Sequence, residues 1–260
     1  MSDLRVTLIQ SDLRWQDPPL NRQRLQKAVK QELSLSGQAD LVVLPEMFST
    51  GFCMDAAGQA EEMRGATVQW LRELAATTGA VISGSLIIAE NGHYYNRLIW
   101  MPPDGELSFY DKRHLFRMAS EEQHYSGGDR QLTVELKGWR IRPLICYDLR
   151  FPVWSRNRDD YDLLLLVANW PAKRRDIWRF LLQARAAENL AWLVAVNRVG
   201  QDDNGIDYSG DSTVIDPQGR PIITLPNEEA TTSITLSRSQ LDQWRQRFPA
   251  HLDGDDFRLK

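Results

Sequence analysis

The sequence predicts an α/β protein in which mixed β-sheets are covered by helices, and three observations support this fold class. Short apolar runs rich in β-branched residues alternate with helix-period segments near both ends of the chain. Hairpin signals occupy the middle. Hydrophobic residues make up 42% of the 260 residues, which is enough for a sizeable core. Because no linker or composition break divides the chain, we predict one domain over 1–260, with a C-terminal helix and tail over 237–260.

The amino-terminal third alternates strands with helices. We predict a strand over 5–10, a helix over 18–35, a strand over 40–45 and a helix over 67–78. In the first helix Leu25, Val29 and Leu33 recur every four residues, which gives one buried stripe. Gly79 is the residue type that ends a helix, so it terminates the second one.

The middle of the chain reads as antiparallel strands joined by short turns. The predicted strands cover 81–89, 94–101, 107–110, 132–136 and 139–145. Asn91-Gly92 and Lys137-Gly138 separate strand-like runs, as expected of hairpin turns. The segment from Ser120 to Asp129 is rich in Glu, Ser and Gly and is predicted to be a loop.

The alternation of strands and helices returns in the last third. We predict a helix over 151–158, a strand over 163–168, a helix over 177–189, a strand over 192–197, a loop over 201–208, strands over 212–215, 221–225 and 231–236, and a helix over 238–248. Asp216-Pro217-Gln218-Gly219 forms the turn between the first two of the three short strands.

Composition excludes several classes of function. The 31 basic and 35 acidic residues are mixed along the chain, so no basic stripe indicates nucleic-acid binding. No window approaches the roughly 18 apolar residues of a membrane span. Two cysteines cannot make a disulfide framework and the N-terminus lacks a signal segment, which favours the cytoplasm. The four histidines lack ligand spacing, so we expect no metal, and the partner should be a small molecule or a second copy.

Three reactive residue types stand at the ends of predicted strands: Glu46, Lys112 and Cys146. In a sheet they could converge on one crevice, where a carboxylate takes the thiol proton and an ammonium stabilises the oxyanion of an attacked carbonyl. Taken singly, each has an ordinary structural interpretation. Cys146 could be a core thiol, Lys112 a solvated charge and Glu46 a loop carboxylate.

Three sequence blocks around these residues resemble the motif blocks of the nitrilase superfamily, the carbon-nitrogen hydrolases. The blocks are Leu44-Pro45-Glu46-Met47-Phe48, Tyr110-Asp111-Lys112-Arg113-His114-Leu115-Phe116 and Ile145-Cys146-Tyr147-Asp148-Leu149-Arg150-Phe151-Pro152. The resemblance implies an α-β-β-α sandwich of two mixed sheets flanked by helices, usually paired as a homodimer, and no cofactor. It also implies that Glu46 is the general base and Cys146 the nucleophile, while Lys112 and the backbone N–H of Tyr147 bind the oxyanion.

The family has a second glutamate in the loop after its lysine block. Here it maps best to Glu121, and the adjacent Glu122 leaves the assignment open by one position. The resemblance implies that this glutamate orients Lys112 and the substrate amide. A solvated loop carboxylate is the alternative interpretation.

Further blocks resemble the omega-amidase branch, which hydrolyses the terminal amide of 2-oxoglutaramate and 2-oxosuccinamate. They are Val167-Ala168-Asn169-Trp170-Pro171, Ala184-Arg185-Ala186-Ala187-Glu188-Asn189 and Val196-Asn197-Arg198-Val199-Gly200. Because such substrates carry a carboxylate opposite the amide, the site should contain a guanidinium. The candidates are Arg150, Arg174 and Arg175, although Arg150 could equally brace the helix it starts. The rings of Trp170, Phe116 and Tyr147 could wall the site or simply pack.

Two other functions are compatible with the sequence. One is another hydrolase of the superfamily, acting on aliphatic amides, nitriles, N-carbamoyl compounds or deaminated peptides. The other is a binding protein that keeps the fold without turnover. That alternative predicts that at least one catalytic residue is replaced, whereas Glu46, Lys112 and Cys146 are all present here.

Overall fold

Two six-stranded sheets form the centre of the computed structural model, which describes residues 2–255. The first sheet has the order β14-β1-β2-β3-β4-β5 and the second β13-β12-β9-β8-β7-β6. The strands are β1 (Leu4–Gln10), β2 (Leu41–Val43), β3 (Val81–Glu90), β4 (His93–Met101), β5 (Ser108–Asp111), β6 (Val134–Leu136), β7 (Trp139–Ile145), β8 (Leu163–Ala168), β9 (Trp192–Asn197), β10 (Val199–Gln201), β11 (Asp207–Ser209), β12 (Thr213–Ile215), β13 (Pro221–Thr224) and β14 (Ala230–Leu236).

Each sheet has three parallel strands flanked by antiparallel ones, so both are mixed. In the first sheet β1, β2 and β3 are parallel, and in the second β7, β8 and β9 are parallel. Active groups gather where parallel strands end, because their carboxyl termini share one edge of the sheet. The chain leaves β2 toward Glu46 and leaves β7 directly into Cys146.

The helices lie outside the two sheets. They are α1 (Pro18–Ser36), α2 (Ala56–Gln59), α3 (Ala66–Thr78), α4 (Glu121–His124), α5 (Pro152–Ser155), α6 (Arg175–Asn189) and α7 (Arg238–Arg247). Leu25 and Val29 of α1 pack with Leu71 of α3 on the outer face of the first sheet. On the second sheet Trp178 and Leu182 of α6 join the core.

The main core lies between the sheets. Alternate residues of β1, namely Leu4, Val6 and Leu8, face the second sheet, whereas Ile9 faces α1 and α3. That alternation is the period-two pattern of a strand. The layers are therefore helix, sheet, sheet and helix. This confirms the prediction of two mixed sheets flanked by helices.

The element boundaries agree with the sequence to within two residues for most predicted elements. The hairpin turns are also confirmed, since Asn91-Gly92 and Lys137-Gly138 have positive φ at both positions. That geometry is typical of a two-residue type I′ turn. Residues 256–260 of the predicted tail lie outside the described residues.

The helix predicted over 151–158 is wrong in extent. The chain instead forms a 3₁₀ turn over Cys146–Arg150 and one short helix over Pro152–Ser155, and Arg156 is already extended. The side-chain amide of Asn157 donates to the carbonyl oxygens of Tyr161 and Asn189. Bonds of this kind compete with helix continuation, which explains the early end.

Two predicted loops contain regular structure. The loop over 201–208 is largely a hairpin, because β10 pairs antiparallel with β11. Asp202 closes its turn by accepting hydrogen bonds from the backbone N–H groups of Asn204 and Ile206. The loop over 120–129 begins with the helical turn α4, which carries Glu121.

Among residues 2–255, no helix combines the length and apolar character needed to cross a bilayer.

Candidate active site

The nucleophile candidate sits on a sharp turn at the end of β7. Cys146 has φ of 43°, a left-handed value that is uncommon for a residue with a side chain. Such values persist where the surrounding structure enforces them, and they cluster at functional sites. The turn brings the thiol to the wall of a cavity at the edge of the second sheet.

Glu46 is fully buried and is held by three donors. One carboxylate oxygen accepts from the amide of Asn96 at 2.7 Å and from Nζ of Lys112 at 2.9 Å. The other accepts from the backbone N–H of Asn169 at 2.7 Å. Gly84 of β3 allows the approach of this segment, since a Cβ there would lie 2.8 Å from side-chain atoms of Leu44 and Phe48. The carboxylate is therefore fixed in one orientation.

Lys112 joins both glutamates. Its Nζ lies 2.9 Å from Glu46 and 3.0 Å from both carboxylate oxygens of Glu121. Burial lowers the pKa of Lys112, but the negative charges of Glu121 and Glu46 outweigh burial and raise it. The ammonium is therefore charged throughout the neutral range.

Glu121, not Glu122, is the glutamate beside the lysine. It is fully buried, and it also accepts from the backbone N–H of Phe116 at 2.5 Å. Burial raises the pKa of Glu121, Glu46 adds to the rise, and Lys112 opposes it. Glu122 instead lies 3.8 Å from Arg117.

The thiol of Cys146 is protonated at neutral pH. Burial is the main cause that raises its pKa, the charge of Glu46 adds to the rise, and Lys112 opposes it. The site thus holds a neutral thiol next to a carboxylate and an ammonium. Chemically, this arrangement can transfer the thiol proton to Glu46 during attack rather than store a thiolate.

The cavity that the thiol reaches has a volume of about 590 Å³. The predicted side chains of Phe116, Tyr147 and Trp170 all line it, as do Lys112 and Cys146. Phe116 and Tyr147 meet edge to face with ring centroids 5.0 Å apart. The aromatic side chains thus form part of the cavity wall, where they can pack against a small organic ligand.

Two of the three candidate arginines line the cavity. The guanidinium of Arg150 lies 5.0 Å from the ring centroid of Trp170, and that of Arg174 lies 5.3 Å from the ring centroid of Phe116. The third candidate is used elsewhere, because Arg175 forms a bidentate pair with Asp211 at 2.6 and 2.9 Å. The cavity therefore offers two guanidinium groups to an anion.

Sequence reasoning missed several residues of the site. Asn169 directly follows the parallel strand β8, and the tendency of active groups to gather at the ends of parallel strands could have indicated it. Asn96 lies inside an antiparallel strand and gives no local signal. The outer wall was also missed, because loop and hairpin segments distant in sequence supply it: Trp15, Gln16, Phe52, Asn204, Ile206 and Tyr208. Within residues 2–255, no group of three or more His, Cys, Asp or Glu side chains is placed to hold a metal ion.

Comparisons with known proteins identify the family of the chain. Residues 5–246 match the family described as Carbon-nitrogen hydrolase. The chain is 47% identical to Omega-amidase YafV of Escherichia coli (strain K12) over 100% of both chains. It is 30% identical to the 2-oxoglutaramate amidase of Bacillus subtilis (strain 168), covering 95% of this chain and 96% of that protein.

A solved structure is similar over the whole length. XC1258 from Xanthomonas campestris, a CN-hydrolase superfamily protein with an arsenic adduct in its active site, is 48% identical with a TM-score of 0.97, and both chains are covered to 100%. The matched blocks, the two mixed sheets and these relatives all lead to the same assignment. The chain belongs to the carbon-nitrogen hydrolase family, the nitrilase superfamily.

Proposed function

We propose that the protein is an omega-amidase that hydrolyses the terminal amide of a small 2-oxo dicarboxylic acid monoamide such as 2-oxoglutaramate or 2-oxosuccinamate. The observation that carries the proposal is the convergence of Glu46, Lys112 and Cys146 beside a cavity that also contains Arg150 and Arg174. The names of the Escherichia coli and Bacillus subtilis relatives support the same substrate class.

In the proposed first half-reaction, Glu46 takes the proton of Cys146 while sulfur attacks the amide carbonyl carbon. The C=O π-bond electrons move to oxygen, and the oxyanion is stabilised by Lys112 and the backbone N–H of Tyr147. Glu46 then returns the proton to the amide nitrogen, the C–N bond breaks and ammonia leaves. A thioester on Cys146 remains.

In the second half-reaction, Glu46 takes a proton from water, and the water oxygen attacks the thioester carbonyl. The C–S bond breaks, the carboxylic acid leaves, and sulfur recovers its proton from Glu46. Glu121 holds Lys112 in place through both steps, which its two 3.0 Å contacts support. The charged lysine also offsets the negative charge that develops on the substrate oxygen.

The carboxylate of the substrate would bind to Arg150 and Arg174. A guanidinium offers paired donors to a carboxylate, and the surrounding aromatic rings strengthen the contact by excluding water. Phe116, Tyr147 and Trp170 would then pack against the methylene groups. This arrangement selects amides that carry a remote negative charge.

Ammonia release from a panel of substrates tests the proposal. The purified protein should release ammonia from 2-oxoglutaramate with a higher kcat/KM than from a plain aliphatic amide, a nitrile or an N-carbamoyl amino acid. A preference for any of the last three would contradict the substrate assignment.

We further propose a homodimer that forms through α6. This helix exposes Ile177 and Phe180, whose side chains are 41% and 67% accessible and lie one turn apart. Exposed apolar side chains grouped on one helix face favour association with a partner surface.

A cytoplasmic location fits two unpaired cysteines, Cys53 and Cys146.

A further inference from the structure

Asp148 is a fully buried carboxylate that the proposed reaction does not use. One of its oxygens accepts from the hydroxyl of Tyr110 at 2.7 Å and from the backbone N–H of Ile145 at 3.1 Å. The other accepts from His114, from the backbone N–H at 3.0 Å and from Nδ1 at 2.8 Å. A buried charge normally needs such partners, so this carboxylate is bound tightly in one position.

The bond from the backbone N–H of Ile145 closes the turn that carries the nucleophile. Asp148 is the third residue of the 3₁₀ turn over Cys146–Arg150, and its side chain reaches back to the N–H of the residue before Cys146. The loop closed in this way contains Cys146, with its φ of 43°, and Tyr147. The carboxylate thereby closes the turn in which Cys146 has its left-handed conformation and from which the backbone continues into Tyr147.

The bonds from Tyr110 and His114 connect this turn to the segment that carries Lys112. His114 follows Lys112 by two residues, and its ring stacks on Phe151 with centroids 3.7 Å apart. The Tyr110 hydroxyl strengthens the link, because it also accepts from Nε1 of Trp154 at 2.9 Å. The segment that bears the ammonium and the turn that bears the thiol are therefore joined through one side chain.

We propose that Asp148 is a positioning residue that sets the oxyanion-binding geometry by fixing the Tyr147 N–H relative to Lys112. It does not take part in deprotonating Cys146, which is the role of Glu46. The inference rests on the proposed function, because it needs an oxyanion to be formed in the reaction. The proposal assigns thiol activation and oxyanion binding to different residues, so a substitution can affect one without the other.

The substitution Asp148→Asn tests this separation. Asparagine has the same shape, but its NH₂ group cannot accept a hydrogen bond. Whichever oxygen it replaces, a backbone N–H of Ile145 or His114 then faces a donor. We expect kcat for 2-oxoglutaramate to fall about 100-fold, the typical loss of one oxyanion donor, with KM within about threefold of wild type.

Alkylation of Cys146 by iodoacetamide provides a second readout. A variant with a general structural defect should lose alkylation and hydrolysis together, whereas a variant that loses only oxyanion binding should lose hydrolysis alone. In this reaction sulfur displaces iodide and no oxyanion forms. In Asp148→Asn the alkylation rate should therefore stay within about threefold of wild type at the same pH. Glu46→Gln, the matched control, should slow hydrolysis because it removes the base, and it should also change the alkylation rate because it removes the charge that raises the pKa of Cys146.

Tyr110→Phe provides a second variant that keeps the charge of Asp148. It removes one donor and should lower kcat about tenfold, again without slowing alkylation. If Asp148→Asn does not fold, Tyr110→Phe alone decides the question. Unchanged hydrolysis, or alkylation that falls as much as hydrolysis, would overturn the inference. Wild-type protein that releases no ammonia from 2-oxoglutaramate would instead contradict the proposed function.

Discussion

In the proposed mechanism, Cys146 and Glu46 combine a protonated resting thiol with nucleophilic attack. Many reactive cysteines lie in electropositive surroundings that lower the thiol pKa. Here burial and the charge of Glu46 raise the pKa of Cys146, against the opposing charge of Lys112. The proposed transfer of the thiol proton to Glu46 at the moment of attack would allow a thiol with a raised pKa to act as a nucleophile.

Titration of this thiol gives a direct prediction. The thiolate of Cys146, followed by ultraviolet absorbance as the difference between wild type and Cys146→Ala, should appear with a midpoint above the ordinary pKa of a cysteine thiol. Glu46→Gln removes a negative charge while Lys112 stays, so the midpoint should move to lower pH. A wild-type midpoint near the ordinary value of about 8.5, or below it, would contradict the description of the resting site.

Substitution of the cavity arginines tests substrate recognition at the same scale. A hydrogen bond to a charged group contributes about 1.5 to 3 kcal/mol, so Arg150→Met or Arg174→Met should lower kcat/KM for 2-oxoglutaramate about 10- to 100-fold. Neither substitution should change kcat/KM for an amide that lacks the carboxylate. Arg175→Met is the matched control, because that side chain pairs with Asp211. Equal losses on both substrates would exclude a carboxylate-binding role.

At the scale of elements, the sequence predicts strands and long helices well and short irregular segments poorly. The apolar runs of β7, β8 and β9 predict these strands, and the expectation that reactive groups gather at strand ends agrees with the contact between Glu46 and Cys146. The 3₁₀ turn after Cys146 could not be predicted, because long-range bonds to Asp148 stabilise it. The outer wall of the cavity could not be predicted either, since Trp15 and Tyr208 are distant in sequence from Cys146.

The C-terminal helix α7 is an element whose attachment can be tested. Arg238 and Arg245 of α7 both bind Asp162, which precedes β8 and also pairs with Arg140. Burial raises the pKa of Asp162, but hydrogen bonds from Arg140 and the nearby positive charges outweigh burial and lower it to about 2. The carboxylate therefore stabilises the fold above the unfolded-state pKa of about 3.9, and this contribution is lost as pH falls through about 2.

Asp162→Asn should lower the free energy of unfolding by about 2 kcal/mol, because it leaves arginines around a neutral group while Arg140 stays partly solvated. Denaturant unfolding at neutral pH measures this loss. Asp129→Asn is the control: Asp129 and its partner Arg130 are 84% and 93% exposed, so their pair should contribute less than about 1 kcal/mol. Equal stability of Asp162→Asn and wild type would show that α7 docks without this ionic contact.

For the whole molecule, the two sheets explain why residues far apart in sequence form one site. The first sheet supplies Glu46 and Lys112, the second supplies Cys146, and the sheets pack face to face through the main core. Family resemblance predicted this arrangement, whereas periodicity alone could not give the number of sheets. The prediction of a single domain over 1–260 stays a prediction.

The proposed dimer gives a prediction for the mass of the molecule in solution. Wild-type protein should have twice the mass of one chain by light scattering, and Phe180→Asp should reduce it to one chain by placing a charge in an apolar contact. Leu35→Asp is the control, because Leu35 is 77% exposed on α1 of the opposite layer. A wild-type monomer, or a Phe180→Asp dimer, would argue against association through α6.

The initial rate of ammonia release from 2-oxoglutaramate by wild type and by Cys146→Ala is the measurement that tests the mechanism most directly. The thiol is small and its proposed role is covalent, so the variant should keep the circular dichroism spectrum of the wild type. Its rate should fall to less than about a hundredth, as expected when a nucleophile is removed. A folded Cys146→Ala protein that keeps more activity than this would contradict a thioester mechanism.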